Sequence, residues 1–245
     1  MQSTGAVPEW LARPIAIGGL VFFVDALLYF AYLYMSAFGR EMTGPIDTRR
    51  VVIDVTLFSV FALHHSLFAR DVFRKGITRI VGALERSVYV WLASALFIAV
   101  CAGWQPIAGT AWRIDQPAAA LTLRAAQLVG VWLTLRSALM IDFLELAGVR
   151  QICRVQQDPP STTPLPDFKT AGPYGWVRHP IYSGWLLLVF SVPHMTMTRF
   201  VFAATSSLYL LVAIPLEERS LRHSSAGAYD RYMRKVRWKL LPHVF

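Results

Sequence analysis

The chain has 245 residues, of which 55% are hydrophobic and 16% charged, with a formal net charge of +9. That balance excludes an ordinary soluble domain and identifies an integral membrane protein. The basic residues stand between apolar runs instead of forming one basic domain, so membrane topology and anionic lipid account for them and nucleic acid does not.

The first fifteen residues lack a basic n-region and a small-residue cleavage site, so the first apolar run, residues 15–38, reads as a retained span. It carries Asp25 in its middle, where a carboxylate is functional by default or pairs with another helix. Residues 51–68 form a second span, with Asp54 inside it and His64, His65 and Ser66 near its end. Adjacent helical residues point about 100° apart, so the two histidines are not a metal pair. Cys101 and Cys153 likewise give no metal-ligand spacing and no disulfide framework.

A polar stretch with Arg70, Arg74, Lys75, Arg79 and Arg86 leads to a third span at 88–108. The fourth, 121–147, contains Arg136 and, near its far end, Asp142 and Glu145, which lie three apart on one helix face. A long polar connection, 148–179, includes Arg150 and a Pro-rich centre. The apolar run 181–214 is then broken by the polar residues 193–199. Its first arm would rise only ~20 Å as a helix against a hydrocarbon core of ~30 Å. Neither arm is comfortable as a full crossing, and the expectation is a tight helical hairpin. Residues 217–245 are amphiphilic and basic.

If the N-terminus, 69–87, 148–179 and 217–245 share one side, that side holds most of the 24 basic residues, whereas the other holds Arg40, Arg49, Arg50, Arg113 and Arg199. The positive-inside rule makes the first side cytoplasmic, with both termini on it. The organising stretch is 172–185, Gly-Pro-Tyr-Gly-Trp-Val-Arg-His-Pro-Ile-Tyr-Ser-Gly-Trp. Turn chemistry at Gly172-Pro173 and a helix-starting Pro180 put Arg178 and His179 at a helix mouth, where the dipole and free N–H groups favour anions. Glu217-Glu218 would lie on the same face and suit hydroxyls or an ammonium, so the combination fits a zwitterionic, nucleoside-like ligand. A juxtamembrane anchor is the competing role for this stretch.

Arg178-His179-Pro180-x-Tyr182-x-Gly184, then Glu217-Glu218-x-x-Leu221, Gly227-x-Tyr229-x-x-Tyr232 and Leu241-Pro242 resemble the integral-membrane methyltransferase superfamily, which includes the isoprenylcysteine carboxyl and phospholipid methyltransferases. His65-Ser66-x-x-Ala69-Arg70, Glu85-Arg86-Ser87-x-Tyr89-Val90, Ile141-Asp142-x-x-Glu145-Leu146-x-Gly148-x-Arg150-Gln151 and Pro193-x-Met195-Thr196 look like its bacterial methanethiol S-methyltransferase branch. Two departures are Ser220, where an acidic residue is usual after Glu-Glu-Arg, and His64 beside His65.

The resemblance implies S-adenosylmethionine bound at the cytoplasmic mouth by Tyr174, Arg178, His179, Pro180, Tyr182, Gly184, Glu217, Glu218, Tyr229 and Tyr232, with no metal. It also implies a small thiol substrate, methanethiol giving dimethyl sulfide, membrane lipids as surroundings, no obligate protein partner, and a bacterial inner membrane. Thiols are largely protonated at neutral pH, as cysteine with pKa ~8.5 illustrates. The acceptor therefore needs a base or a cation: His65 as proton acceptor, Asp142 or Glu145 orienting it, and Arg70 or Arg150 stabilising the thiolate. Structural pairing between helices is the competing role for each of these.

The expected fold is all-α integral membrane: four transmembrane helices plus a C-terminal helical hairpin and a cytoplasmic cofactor-binding segment. Residues 1–147 form the core and acceptor side; 148–245 form the connection, hairpin and cofactor segment. The alternatives are a lipid or prenyl-cysteine methyltransferase, and a non-catalytic haem-binding factor or transporter.

Overall fold

In lipid each backbone polar group must be bonded within its own segment, so long apolar runs fold as helices. The computed structural model describes residues 9–68, 76–78, 80–141, 168 and 170–244. Its principal helices are α1 (Glu9–Met35), α2 (Thr48–Phe68) and α3 (Glu85–Gly103). A short strand β1 (Thr110–Arg113) precedes α4 (Pro117–Met140), and a single turn α5 (Pro173–Trp176) precedes α6 (Pro180–Phe190). Strand β2 (His194–Thr196), α7 (Met197–Ser224) and α8 (Ala228–Lys235) complete the order. The described residues divide into two compact units, 9–109 and 110–244.

In the first unit small residues set the helix spacing. Ala12, Ala16 and Ala26 of α1 are buried, and Gly18 and Gly19 meet the indole of Trp91 on α3. That indole donates to the Ile15 carbonyl at 2.9 Å and stacks on Phe22 at 4.9 Å. Phe97 joins the three helices, with Phe30 of α1 at 5.6 Å and Phe61 of α2 at 5.3 Å. At the other end of α2 the buried Asp54 accepts the Gln105 N–H at 2.7 Å, and Arg50 donates to the Pro106 carbonyl at 2.8 Å. Asp25, by contrast, lies on the exposed side of α1.

The second unit is built on a glycine crossing. A Cβ on Gly130 of α4 would stand 2.7 Å from the Gly184 carbonyl and from the Leu188 nitrogen on α6. A Cβ on Gly184 would stand 2.7 Å from the Gly130 carbonyl, so backbone packs on backbone there. Gln127 fastens the crossing by donating to the Leu188 carbonyl at 3.0 Å. Antiparallel pairing of β1 with β2, together with the Trp112 indole donating to the Val192 carbonyl at 2.9 Å, ties the start of α4 to the tip between α6 and α7. Thr196 caps α7 by accepting the Arg199 N–H at 3.2 Å.

Among the described residues, five helices are long and apolar enough to cross a membrane: α1 with its extension to Gly39, α2, α3, α4 and α7. After the fourth span α6, β2 and α7 follow one another, and α7 is longer than the apolar run suggested. Helix α7 passes through Pro215 and continues to Ser224, so Glu217 and Glu218 are its own last turns and not the start of a new segment. At 28 residues it rises ~42 Å, whereas the 11 residues of α6 rise ~16 Å. Leu28, Leu63, Leu128, Leu139 and Val212 are exposed on these helices, the side-chain type a hydrocarbon environment favours.

Candidate active site

Gly172 has φ +56, a conformation that favours glycine, and it turns the chain so that Pro173 starts the single turn of α5. Gly175 is needed next, since a Cβ there would stand 2.5 Å from the Thr170 carbonyl. The chain then extends through Val177 and re-enters helix at Pro180, the first residue of α6, with His179 at its N-cap. The two residues before Pro180 are bonded through their backbones: Arg178 N–H donates to the Trp238 carbonyl at 2.8 Å and His179 N–H to the Lys239 carbonyl at 2.9 Å. Ser183 Oγ donates to the Leu240 carbonyl at 2.6 Å, and Arg178 Nη1 donates to the carbonyls of Val236 and Arg237. Five consecutive carbonyls of the C-terminal stretch are thereby bound to residues 178–183.

The side chains meet around Glu218. Arg178 Nε donates to Glu218 Oε1 at 2.7 Å, His179 Nε2 lies 3.2 Å from the same oxygen, and the Tyr229 hydroxyl donates to it at 3.4 Å. Lys239 Nζ is 4.0 Å from the other oxygen. Arg178, His179, Glu218 and Tyr229 are all buried. A buried ion pair is retained only where further hydrogen bonds satisfy both partners, and that condition is met here.

Glu217 is different: its side chain is 44% exposed, it accepts from the Tyr182 hydroxyl at 2.8 Å, and its Oε2 lies 3.7 Å from His179 Nδ1. The rings of His179 and Tyr182 are stacked, 5.4 Å apart and 3° from parallel. Beneath, Tyr232 donates to the Tyr174 carbonyl at 2.8 Å, and Phe168 packs on Tyr229 at 5.0 Å and Tyr232 at 5.7 Å. Burial pushes the Tyr232 hydroxyl up to about 12 and raises those of Tyr174 and Tyr229 further, so all three stay protonated donors at neutral pH.

Of the residues expected to hold the cofactor, Tyr174, Arg178, His179, Tyr182, Glu217, Glu218, Tyr229 and Tyr232 come together in this one cluster. Pro180 is buried as the first residue of α6, and Gly184 sits at the crossing with Gly130. Sequence reasoning missed Phe168, Lys239 and the carbonyls of 236–240. Only the Leu241-Pro242 motif beside them gave any signal. Of the residues expected on the acceptor side, His65 has its Nδ1 2.8 Å from the Tyr89 hydroxyl on α3. Arg70, Asp142, Glu145 and Arg150 lie outside the described residues.

The chain is 37% identical to the methanethiol S-methyltransferase of Crocosphaera subtropica over 187 residues, 76% of this chain and 72% of the relative. It is 33% identical to methanethiol S-methyltransferase 1 of Bradyrhizobium diazoefficiens over 89% of this chain and 77% of that one. This chain belongs to the methanethiol S-methyltransferase family. A third member, from Mycobacterium tuberculosis, is 36% identical over 80% of each chain. No family model matches the chain, and no solved structure matches it. Family membership makes it a methyltransferase, and the five long apolar helices among the described residues make it a multi-pass membrane enzyme.

Proposed function

We propose that this enzyme transfers the methyl group of S-adenosylmethionine to a small thiol, converting methanethiol to dimethyl sulfide at the cytoplasmic face of a bacterial inner membrane. The observation that carries the donor assignment is the closure of two motif segments on each other: Arg178, His179 and Tyr182 bond to Glu217 and Glu218 across some forty residues of chain. The thiol assignment is supported by the names of the relatives.

The residues present fit the donor. Half-exposed Glu217 is an acceptor for a hydroxyl or ammonium group, Arg178 and Lys239 bring positive charge for a carboxylate, and the stacked His179 and Tyr182 offer a flat surface. When bound, S-adenosylmethionine supplies a methyl group on a sulfonium, open to in-line displacement. The protein's task is then alignment and exclusion of water. Glu218 holds Arg178 and His179 in place, and the carbonyls of 236–240 fix the backbone that carries them. The acceptor side belongs to the end of α2, where Tyr89 orients His65, with Asp142 or Glu145 as a further orienting carboxylate and Arg70 or Arg150 as the cation that stabilises a thiolate.

The test is headspace detection of dimethyl sulfide from purified protein in detergent, given S-adenosylmethionine and methanethiol, with S-adenosylhomocysteine quantified alongside. Equal amounts of the two products are expected. Binding of S-adenosylmethionine without dimethyl sulfide would move the acceptor to a lipid or prenyl-cysteine, and absence of binding would overturn the donor assignment.

A further inference from the structure

His64 and Phe68 are one turn apart on α2, and their ring centroids are 4.3 Å apart. Tyr89 of α3 lies nearly parallel to His64, at 6.1 Å and 12°. Both ring nitrogens of His64 are enclosed, and among the described residues neither has a hydrogen-bond partner. A neutral imidazole carries one N–H donor and one lone pair, and buried polar atoms are bonded with few exceptions. The ring is therefore placed to receive a group that is not part of the chain. His65 is in the opposite condition, since its Nδ1 is engaged by the Tyr89 hydroxyl at 2.8 Å. One tyrosine thus lays its ring beside one histidine and holds the next with its hydroxyl.

The chemistry of the surroundings selects the partner. Phe68 and Tyr89 present aromatic surface to the ring. A small alkyl thiol suits that surface: its S–H is a weak donor, and its polarisable sulfur makes favourable contacts with aromatic rings.

We propose that His64, in place of His65, is the proton acceptor for the thiol and that Phe68 and Tyr89 form the wall on which the sulfur rests, His65 being held by the Tyr89 hydroxyl; this deepens the thiol-methylation reading above and depends on it. The S–H proton passes to the free ring nitrogen, which leaves a thiolate and an imidazolium. A thiolate lone pair forms the new S–CH3 bond while the bond from that methyl to the donor sulfonium breaks, its electron pair remaining on the donor sulfur. The imidazolium returns its proton to water once product has left.

The test uses the full-length protein in detergent with two substitutions, His64→Phe, which keeps a ring between Phe68 and Tyr89, and His64→Gln. Donor-free wild-type protein is mixed with phenylmethanethiol, and the ultraviolet thiolate band is read; it is expected with the wild type and absent with both variants. Methylation is then measured with methanethiol and with 4-nitrothiophenol, a thiol already ionised at neutral pH. The variants should lose about 10²–10⁴-fold with methanethiol, the contribution of a positioned base, yet retain turnover with 4-nitrothiophenol. Equal losses with both thiols, or a thiolate band that survives the substitutions, would overturn the assignment. A wild-type protein that methylates neither thiol would fail the reading of function itself, whereas an active wild type with indifferent variants removes only His64.

Discussion

Glu218 accepts from Arg178, His179 and Tyr229 inside the protein, while Glu217 stands half-exposed and accepts from Tyr182. Their substitutions should therefore separate. Glu218→Gln removes the charge that compensates a buried guanidinium, and breaking such a pair costs about 3–5 kcal/mol, so the melting temperature in detergent should fall and donor binding with it. Glu217→Gln removes a charged hydrogen-bond partner at the rim, worth about 1.5–3 kcal/mol to a ligand, so calorimetry should show donor affinity weakened about tenfold or more with the melting temperature unchanged. An unstable Glu217→Gln protein would count against this division. Both carboxylates were legible as a motif; which one is buried was not, because that depends on where the carbonyls of 236–240 draw Arg178. Tyr232 adds a pH dependence. Burial raises its hydroxyl from 10.0 to about 12, so the unfolded chain releases that proton first. Its contribution is complete below about pH 10 and is lost as pH climbs to about 12, because in that window the folded state holds the extra proton. Thermal melts at about pH 9 and about pH 11 should show the loss, and Tyr232→Phe should flatten it, although Tyr174 and Tyr229 shift in the same direction.

At the scale of elements, the crossing of α4 and α6 controls where the mouth stands. Gly184 reads in sequence as one letter of a cofactor motif, yet its position is fixed by Gly130, some fifty residues earlier, which no local pattern connects to it. Gly130→Ala would place a methyl 2.7 Å from backbone atoms of α6, and backbone cannot swing aside as a side chain does. Overpacking of this kind costs about 1–3 kcal/mol. The expected result is a lower melting temperature together with weaker donor binding, since α6 carries Pro180 and Tyr182, while Leu128→Ala on the exposed face of α4 should leave both unchanged. The reach of α7 escaped the sequence for a related reason. A proline and two glutamates after Ile214 look like a terminus, but a helix absorbs one missing hydrogen bond at Pro215 when its last turns are held by Arg178 and Tyr182.

For the whole molecule, the number of crossings decides which side each terminus occupies. Among the described residues five helices have the length to cross, and five crossings would put the termini on opposite sides. The second unit argues for one more pass. Pairing of β1 with β2 puts the starts of α4 and α7 at one end, whereas Met140, next to Gly172, and Glu218, bonded to Arg178, put their far ends at the mouth. The chain must return from mouth to tip between them, and α6 with Ser191–Pro193 is the segment that does so. Its helix rises only ~16 Å, so the remainder is covered by irregular chain, which membranes tolerate only where protein covers it. Here Gly130, Gln127 and the Trp112 indole provide that cover. Hydropathy cannot reveal such a pass, since an 11-residue helix never fills a window of spanning length. The expected count is therefore even, with both termini on the side richest in Lys and Arg. Activity reporters fused at either terminus should both read cytoplasmic, and a cysteine placed at Arg113 should react with a membrane-impermeant thiol reagent from outside the cell. Reporters that read opposite sides would show an odd number of crossings, with α6 not completing one.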